Sequence, residues 1–373
     1  MEKIVILGST GSIGRQSLDI IKEKGGFEIL ALACRKPKEV LKNQISFFKP
    51  SYVSLEEKSE ELEKLFPEVC FFYGEEGIKT LSSLKEADTV LNALVGSSGL
   101  VPTLNAIKNH KKVLLANKET LVIGGEIVKE YLKEYNGTLY PIDSEHSALW
   151  EMIDEYGKEN IEKMTITASG GALRDYEKKN LENVKVKEVL SHPNWSMGEK
   201  ITVDSATMVN KGFEIIEAHY LFDMSYTKLS AVIQRDSLCH AFVTLKDKSV
   251  KYNISSPSMK GPITRALYYP KIQYEKEKMD KKDLVFEEIE EEKYPSFNFI
   301  IETAKKNPLL LTVLNAANEM AVSLFLDEKI KYTDIFKINY EMVMRFSSPD
   351  VISLENIIKY DKIVKDYVKK YYS

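Results

Sequence analysis

Short apolar runs alternate with segments whose apolar residues recur at helical spacing through the first third of the chain. The runs fall at residues 4–7, 27–34, 52–55, 69–73, 89–95, 113–116 and 138–142, each of strand length. Residues 13–24 and 102–109 between them read as crossover helices. The alternation predicts an α/β fold whose N-terminal part, residues 1–143, is a doubly wound, Rossmann-like parallel sheet. Residues 144–270 mix both periodicities and form a central α+β domain, with a hairpin of strands 238–245 and 249–254 around the polar turn 246–248. Residues 271–296 shift to Lys and Glu and suit a solvated linker. From residue 297 to 373, helical spacing alone recurs (Leu309, Val313, Leu314, Ala317, Met320, Ala321, Leu324) and predicts a small helical C-terminal domain. No stretch approaches the roughly 18 apolar residues of a membrane helix.

The first strand runs directly into Gly8-Ser9-Thr10-Gly11-Ser12-Ile13-Gly14 and a helix start. Backbone N–H groups at such a turn cradle a pyrophosphate, and missing side chains allow it close. The spacing is GxxGxxG rather than GxGxxG, and glycine punctuation of a strand end is the plain alternative. The second strand ends in Arg35-Lys36, where an NAD site carries an acid; a basic pair suits the 2′-phosphate of NADP, or is simply a solvated surface pair. Leu94-Val95-Gly96-Ser97-Ser98-Gly99 and Ala116-Asn117-Lys118-Glu119 lie at further strand ends, on the carboxyl edge where open sheets bind ligands.

Asp143-Ser144-Glu145-His146 follows the seventh run. In an extended segment Asp143 and Glu145 point the same way, and hard oxygen ligands suit Mg²⁺ or Mn²⁺ rather than zinc. An N-cap acid with a first-turn Glu is the alternative, and Glu214 is the candidate third carboxylate. Ser205, Asn210 and Lys211 lie in residues 203–212, which read as a strand and a helix start rich in donors for a phosphate dianion. Ser169 in Ala168-Ser169-Gly170-Gly171, and His192, Trp195 and Gly198 in Ser191-His192-Pro193-Asn194-Trp195-Ser196-Met197-Gly198, flank a polar stretch suited to a lid.

Composition narrows the field. At 373 residues the chain exceeds one compact core. A net charge of −4 offers no basic face for nucleic acid, and three scattered cysteines give neither a disulfide framework nor a thiolate metal site. No signal-peptide core follows Met1, so a cytoplasmic location is expected.

Taken together, GSTGSIG, LVGSSGLVPTLNAI, LLANKETLV, PIDSEHSALW, TASGGAL, HPNWSMG, VDSATMVNKGFEIIEA and LNAANEMAV resemble the 1-deoxy-D-xylulose 5-phosphate reductoisomerase family, in order and over essentially the whole chain. The resemblance implies an NADPH- and divalent-metal-dependent enzyme that isomerises and reduces 1-deoxy-D-xylulose 5-phosphate to 2-C-methyl-D-erythritol 4-phosphate, and implies a homodimer. It implies that Thr10, Gly11, Ser12 and Ile13 hold the pyrophosphate, with Lys36 and, by chemistry, Arg35 at the 2′-phosphate. Asn117 and Glu119 would lie along the nicotinamide and Gly198 would touch the cofactor. Asp143, Glu145 and Glu214 would form the metal triad, and Ser144 and Glu145 would face substrate. Ser169, His192, Ser205, Asn210 and Lys211 would contact substrate and phosphate, with Lys118 by the reacting oxygens and Trp195 closing over the site. Two segments depart from the family pattern: Arg35-Lys36-Pro37 stands where a Gly-Lys-Asn-like turn is common, and residues 233–237 lack a His-Pro. A metal-independent NADP-linked dehydrogenase would share the glycine loop without needing the triad, and a non-catalytic NADP-sensing module would use the acids only as helix caps.

Overall fold

The computed structural model describes residues 1–36, 39–195, 197–272, 283–347 and 350–372. In chain order the first elements are β1 (Glu2–Leu7), α1 (Ser12–Lys24), β2 (Phe27–Ala33), α2 (Glu39–Phe48), β3 (Tyr52–Leu55), α3 (Glu60–Leu65), β4 (Cys70–Tyr73), α4 (Gly74–Ser82), β5 (Thr89–Asn92), α5 (Leu100–Lys108), β6 (Lys112–Leu115), α6 (Glu119–Glu134) and β7 (Thr138–Pro141). They are followed by α7 (Ser144–Tyr156), β8 (Ile161–Ala168), α8 (Val186–Val189), α9 (Glu199–Ala206), α10 (Val209–Phe222), β9 (Leu229–Ile233), β10 (Cys239–Leu245), β11 (Val250–Ile254), α11 (Lys260–Tyr268), α12 (Pro295–Lys306), α13 (Leu309–Leu326), α14 (Tyr332–Arg345) and α15 (Leu354–Tyr372).

The chain gathers into two compact units. The first, Met1–Thr120, Glu126–Asp143 and Met259–Glu275, holds a seven-stranded parallel sheet in the order β4-β3-β2-β1-β5-β6-β7. β1 is flanked by β2 on one side and β5 on the other, so the strand order reverses there and opens a crevice at the carboxyl ends of β1 and β5. The central strands are apolar throughout because helices cover both faces; Ile4, Val5, Ile6 and Leu7 are fully buried.

The second unit, Leu121–Gly125, Ser144–Ser258 and Lys276–Ser373, holds a four-stranded sheet in the order β11-β10-β8-β9. β10 and β11 form the expected antiparallel hairpin.

Four expectations are revised. The boundary expected at residue 270 does not mark where packing changes: Ile263, Ala266 and Leu267 of α11 share a core cluster with Leu18, Ile20, Ile21 and Phe27, so an apolar helix face draws this segment into the first unit. Helices α12–α15 share the second unit with residues 144–258, because α12 packs on α10 and α13 on α9. The charged linker expected at 271–296 lies partly outside the described residues. Its described end is anchored, since Glu287 bridges Ile233 and buried Tyr294 donates its hydroxyl to the Gly170 carbonyl at 3.2 Å. α13 itself, Leu309–Leu326, is long and apolar enough to cross a membrane by length and composition, contrary to expectation, yet 78% of it is buried inside the protein. It is the core helix around which α9, α12, α14 and α15 pack.

Candidate active site

At the crevice of the first unit, β1 is followed by Gly8, whose φ of +88° and close approach to the residue after β5 both exclude a side chain: a Cβ would lie 2.4 Å from the Ala93 carbonyl oxygen. Gly14, one turn into α1, would meet the Gly8 oxygen at 2.4 Å and Ser9 Cα at 2.6 Å. The glycines therefore press the first turn of α1 against the end of β1. Thr10, Gly11, Ser12 and Ile13 line this turn; Gly11 is the α1 N-cap and makes no side-chain capping bond, so the first-turn amides point where an anion is favoured.

Arg35 is paired with Glu56 at 2.9 Å, and this partner and its charge raise the guanidinium's already high pKa. Lys36 is exposed beside it; Pro37 lies outside the described residues. Asn117 is buried and its side chain is committed. It donates to the Leu94 and Gly96 carbonyls, both at 3.0 Å, and to Glu119 at 3.1 Å, and accepts from the Thr120 amide at 2.9 Å. A Cβ on Gly99 would sit 2.2 Å from its Oδ1. Asn117 thus ties the loop after β5 to the end of β6.

Lys118 and Asp143 follow neighbouring strands β6 and β7, and parallel pairing sets their ends side by side. Both are largely buried, and Lys118 Nζ donates to Asp143 Oδ2 at 2.7 Å. Asp143 is peptide-bonded to Ser144, the first residue of α7, so Glu145 lies in a helical first turn and not on an extended strand. Ser144 Oγ donates to Glu145 Oε2 at 2.6 Å.

On α10, Asn210, Lys211, Glu214 and Glu217 recur at three- and four-residue intervals and share a face. Asn210 donates to Glu214 Oε1 at 2.5 Å, and Lys211 Nζ binds both Glu145 Oε1, at 2.7 Å, and Glu214 Oε2. Lys211 and Glu214 are 4% and 2% exposed, which makes this a buried network in which each charge depends on its partner. One oxygen from each of Asp143, Glu145 and Glu214 lies within 4.8 Å of the others.

A second cluster forms around His192. Its Nδ1 accepts the backbone N–H groups of Asn194 at 3.2 Å and Trp195 at 3.0 Å. That fixes the ring proton on Nε2, which faces Ser169 Oγ at 3.0 Å and Ser205 Oγ at 3.4 Å. Burial, then the Arg174 cation, pushes the imidazole pKa down to about 4. Ser169 Oγ also accepts the Gly171 N–H at 3.2 Å, leaving two hydroxyls and a neutral imidazole grouped together. Residues 203–206 are the end of α9 and not the expected strand, because Val203 and Ala206 are buried at helical spacing. Asn210 and Lys211 turn toward the carboxylates, so of the three expected phosphate donors only Ser205 joins His192. Gly198 is exposed, and a Cβ added there would meet nothing within 4 Å.

Family models for 1-deoxy-D-xylulose 5-phosphate reductoisomerase match residues 4–125, and for its C-terminal domains residues 139–222 and 254–367. The reductoisomerase of Listeria monocytogenes serotype 4b is 42% identical over 377 residues, covering 99% of each chain; that of Clostridium tetani is 40% identical over 389 residues, covering all of both. The chain belongs to the 1-deoxy-D-xylulose 5-phosphate reductoisomerase family. Among solved structures, a DOX-P reductoisomerase in complex with NADPH, fosmidomycin and magnesium superposes with a TM-score of 0.92 at 34% identity, covering 99% of this chain and 98% of that one. The Zymomonas mobilis reductoisomerase in complex with NADPH gives 0.90 at 30% identity, with the same coverage.

For this family member, sequence reasoning passed over several residues. His146, fully buried, has Nε2 at 2.9 Å from the Glu214 carbonyl oxygen and Nδ1 at 3.4 Å from Glu217 Oε2. It stood in plain view beside Glu145, and Glu217 lies one turn after Glu214. Arg174 donates to the Ser169 and Arg235 carbonyls at 2.9 and 2.7 Å, and Asn194 donates to Arg235 O and Ser237 Oγ at 2.6 and 2.8 Å. No local spacing announces the bonds to Arg235 and Ser237, which lie 41 to 61 residues away.

Proposed function

We propose that this chain converts 1-deoxy-D-xylulose 5-phosphate to 2-C-methyl-D-erythritol 4-phosphate, using NADPH and Mg²⁺ or Mn²⁺. The observation that carries the reading is the convergence of Asp143, Glu145 and Glu214 oxygens within 4.8 Å, which a chain using these acids only as caps has no reason to assemble. The donor set fits the ion: it is all hard oxygen, and a cation, the Lys211 ammonium, already lies against two of the three carboxylates. These three residues would hold the metal, which when bound polarises substrate oxygens and stabilises the negative charge developed during carbon–carbon cleavage and rejoining. The turn of Thr10, Gly11, Ser12 and Ile13 would hold NADPH, whose contribution there would be a hydride for the resulting aldehyde.

The protein's own groups do the rest. Lys118, held by Asp143, keeps an ammonium where oxyanion charge develops. Ser144 and Glu145 offer a hydroxyl and a carboxylate to the substrate. Ser169, Ser205 and neutral His192 present donors to the phosphate, and Asn210 and Lys211 stand on the adjoining helix. Anchoring a group remote from the reacting carbons retains the fragments between cleavage and rejoining, and Trp195, on the same loop as His192, would exclude water over them. The Gly8-to-Ile13 turn, Lys36 and Arg35 are proposed for the cofactor phosphates, Asn117 and Glu119 for the shape of the nicotinamide side, and Gly198 for a contact from the lid.

The same proposal includes a homodimer. It is supported by β11, an edge strand on which Val250, Tyr252 and Ile254 are 39%, 46% and 40% exposed, an apolar edge of the kind that pairs with another chain. A cytoplasmic location belongs to it too, supported by three free cysteines; cell fractionation tests it.

The deciding experiment follows NADPH oxidation with the named substrate, with and without divalent metal. Metal-dependent turnover supports the proposal. Turnover unaffected by chelator would point to a metal-independent dehydrogenase, and stoichiometric binding without turnover to a sensing module.

A further inference from the structure

Ser205 is the next-to-last residue of α9, and both of its neighbours are gripped by the C-terminal helices. Asp204, 3% exposed, accepts from Lys200 Nζ of its own helix at 2.8 Å and from Asn318 Nδ2 of α13 at 2.7 Å. Asn318 Oδ1 in turn accepts from Asn339 Nδ2 of α14 at 3.0 Å, and both amides are buried. The Ala206 carbonyl accepts the hydroxyl of buried Tyr332 at 2.7 Å. Directly afterwards Met208 takes a left-handed φ of +61° and α10 begins. On the opposite side Gly171 is pressed against the same turn: a Cβ there would lie 2.7 Å from Ala206 Cα and 2.8 Å from the Ser205 carbonyl oxygen. The end of α9 is therefore wedged between the loop that carries Ser169 and a chain of directional hydrogen bonds from α13 and α14.

Apolar packing alone lets a short helix rotate or slide, whereas a buried hydrogen bond with a single satisfactory geometry fixes its register. Val203 and Ala206 supply the packing; the Asp204–Asn318–Asn339 chain supplies the direction. We propose that Asn318, in the Leu314-Asn315-Ala316-Ala317-Asn318-Glu319 segment to which no function has been given, is a positioning residue for the Ser169–His192–Ser205 cluster. Acting through Asp204, it sets the distance from Ser205 Oγ to His192 Nε2 and thereby the affinity for the phosphate end of the substrate. The inference rests on the phosphate reading of that cluster, and the test separates the two.

The full-length protein is compared with Asn318→Ala, Asn318→Asp, Ser205→Ala and the exchange Asp204→Asn/Asn318→Asp. In the exchange, the amide at 204 donates to the carboxylate at 318, which still accepts from Asn339. Steady-state KM and kcat, and dissociation constants for inorganic phosphate, Mn²⁺ and NADPH, are measured for each. Since misplacement by about 1 Å is worth up to about a hundredfold, both single Asn318 variants are expected to raise KM and the phosphate dissociation constant about tenfold. They should leave kcat within about threefold and Mn²⁺ and NADPH affinities within about twofold, and the exchange should restore KM. A folded Asn318→Asp protein with the parent's KM overturns the inference, as does a variant in which KM, kcat and Mn²⁺ affinity all worsen together, or an exchange that recovers nothing. If Asn318→Ala does not fold, Asn318→Asp and the exchange decide. If Ser205→Ala itself leaves KM and phosphate binding unchanged, the phosphate reading falls and takes this inference with it; if Ser205→Ala weakens both and Asn318→Asp neither, the inference alone falls.

Discussion

Replacing Glu214 by Gln removes one negative charge from the carboxylate cluster at nearly constant shape, and two consequences separate. Without metal, Glu214 Oε1 accepts from Asn210 and Oε2 from Lys211. A glutamine has one acceptor oxygen, so its NH₂ faces a donor in either orientation, and a buried mismatch of this kind costs about 1–3 kcal/mol. The metal-free protein should melt a few degrees lower. With metal, two unit charges about 4 Å apart at an effective dielectric constant near 20 attract by about 4 kcal/mol, and a divalent ion doubles that. Water taking the vacated position and the lost desolvation return more than half. A net loss of about 3 kcal/mol, roughly a hundredfold in affinity, remains. Calorimetric titration with Mn²⁺ reads this directly, and NADPH fluorescence in the same sample is the control, since the glycine turn is untouched. A folded Glu214→Gln protein binding Mn²⁺ within about twofold of the parent would refute the idea that these three acids form one cation site.

His192, with its pKa near 4 against an ordinary value of about 6.5, should stay neutral from pH 8 to pH 5; its imidazole NMR shift should titrate only below that. Because the folded state binds the proton less readily than the unfolded chain, this group's contribution to stability is complete above about pH 6.5 and declines as pH falls toward 4, and a denaturation series compared with a His192→Asn variant reads the difference. Gly14→Ala, whose new methyl would meet the Gly8 oxygen at 2.4 Å, should weaken NADPH at least about tenfold through displacement of the α1 first turn while Mn²⁺ affinity holds; unchanged NADPH binding would dissociate the turn from the cofactor. Tyr252→Lys on β11 should shift the sedimentation profile toward monomer, and a persisting dimer would remove that edge from the interface.

The parallel sheet was legible because both of its signals are local: every strand is a short apolar run, and each run ends in the turn residues its position demands. The hairpin was equally plain. What went astray depended on distant packing. Residues 203–206 read as a strand, yet α9 packs on α10 and α13 with Val203 and Ala206 buried at helical spacing, and that tertiary contact selects the helix. α11 looked like the close of the central domain until its Ile263, Ala266 and Leu267 met the first unit's core. Asp143 and Glu145 come within reach of one another not by alternation along a strand but because a strand end is followed by a helical first turn. Partners such as Glu217, Arg174 and Asn318 announce themselves only through bonds that span long stretches of chain.

The greasy helix at Leu309–Leu326 has an implication for biosynthesis. Its shielding is completed by α15, which is synthesised after it, so until α15 docks the nascent protein displays a segment that holdase chaperones are built to seize. A stop codon placed ahead of Leu354 would make that interval permanent, and such a product should be recovered in inclusion bodies or bound to chaperone rather than as a slightly weaker enzyme.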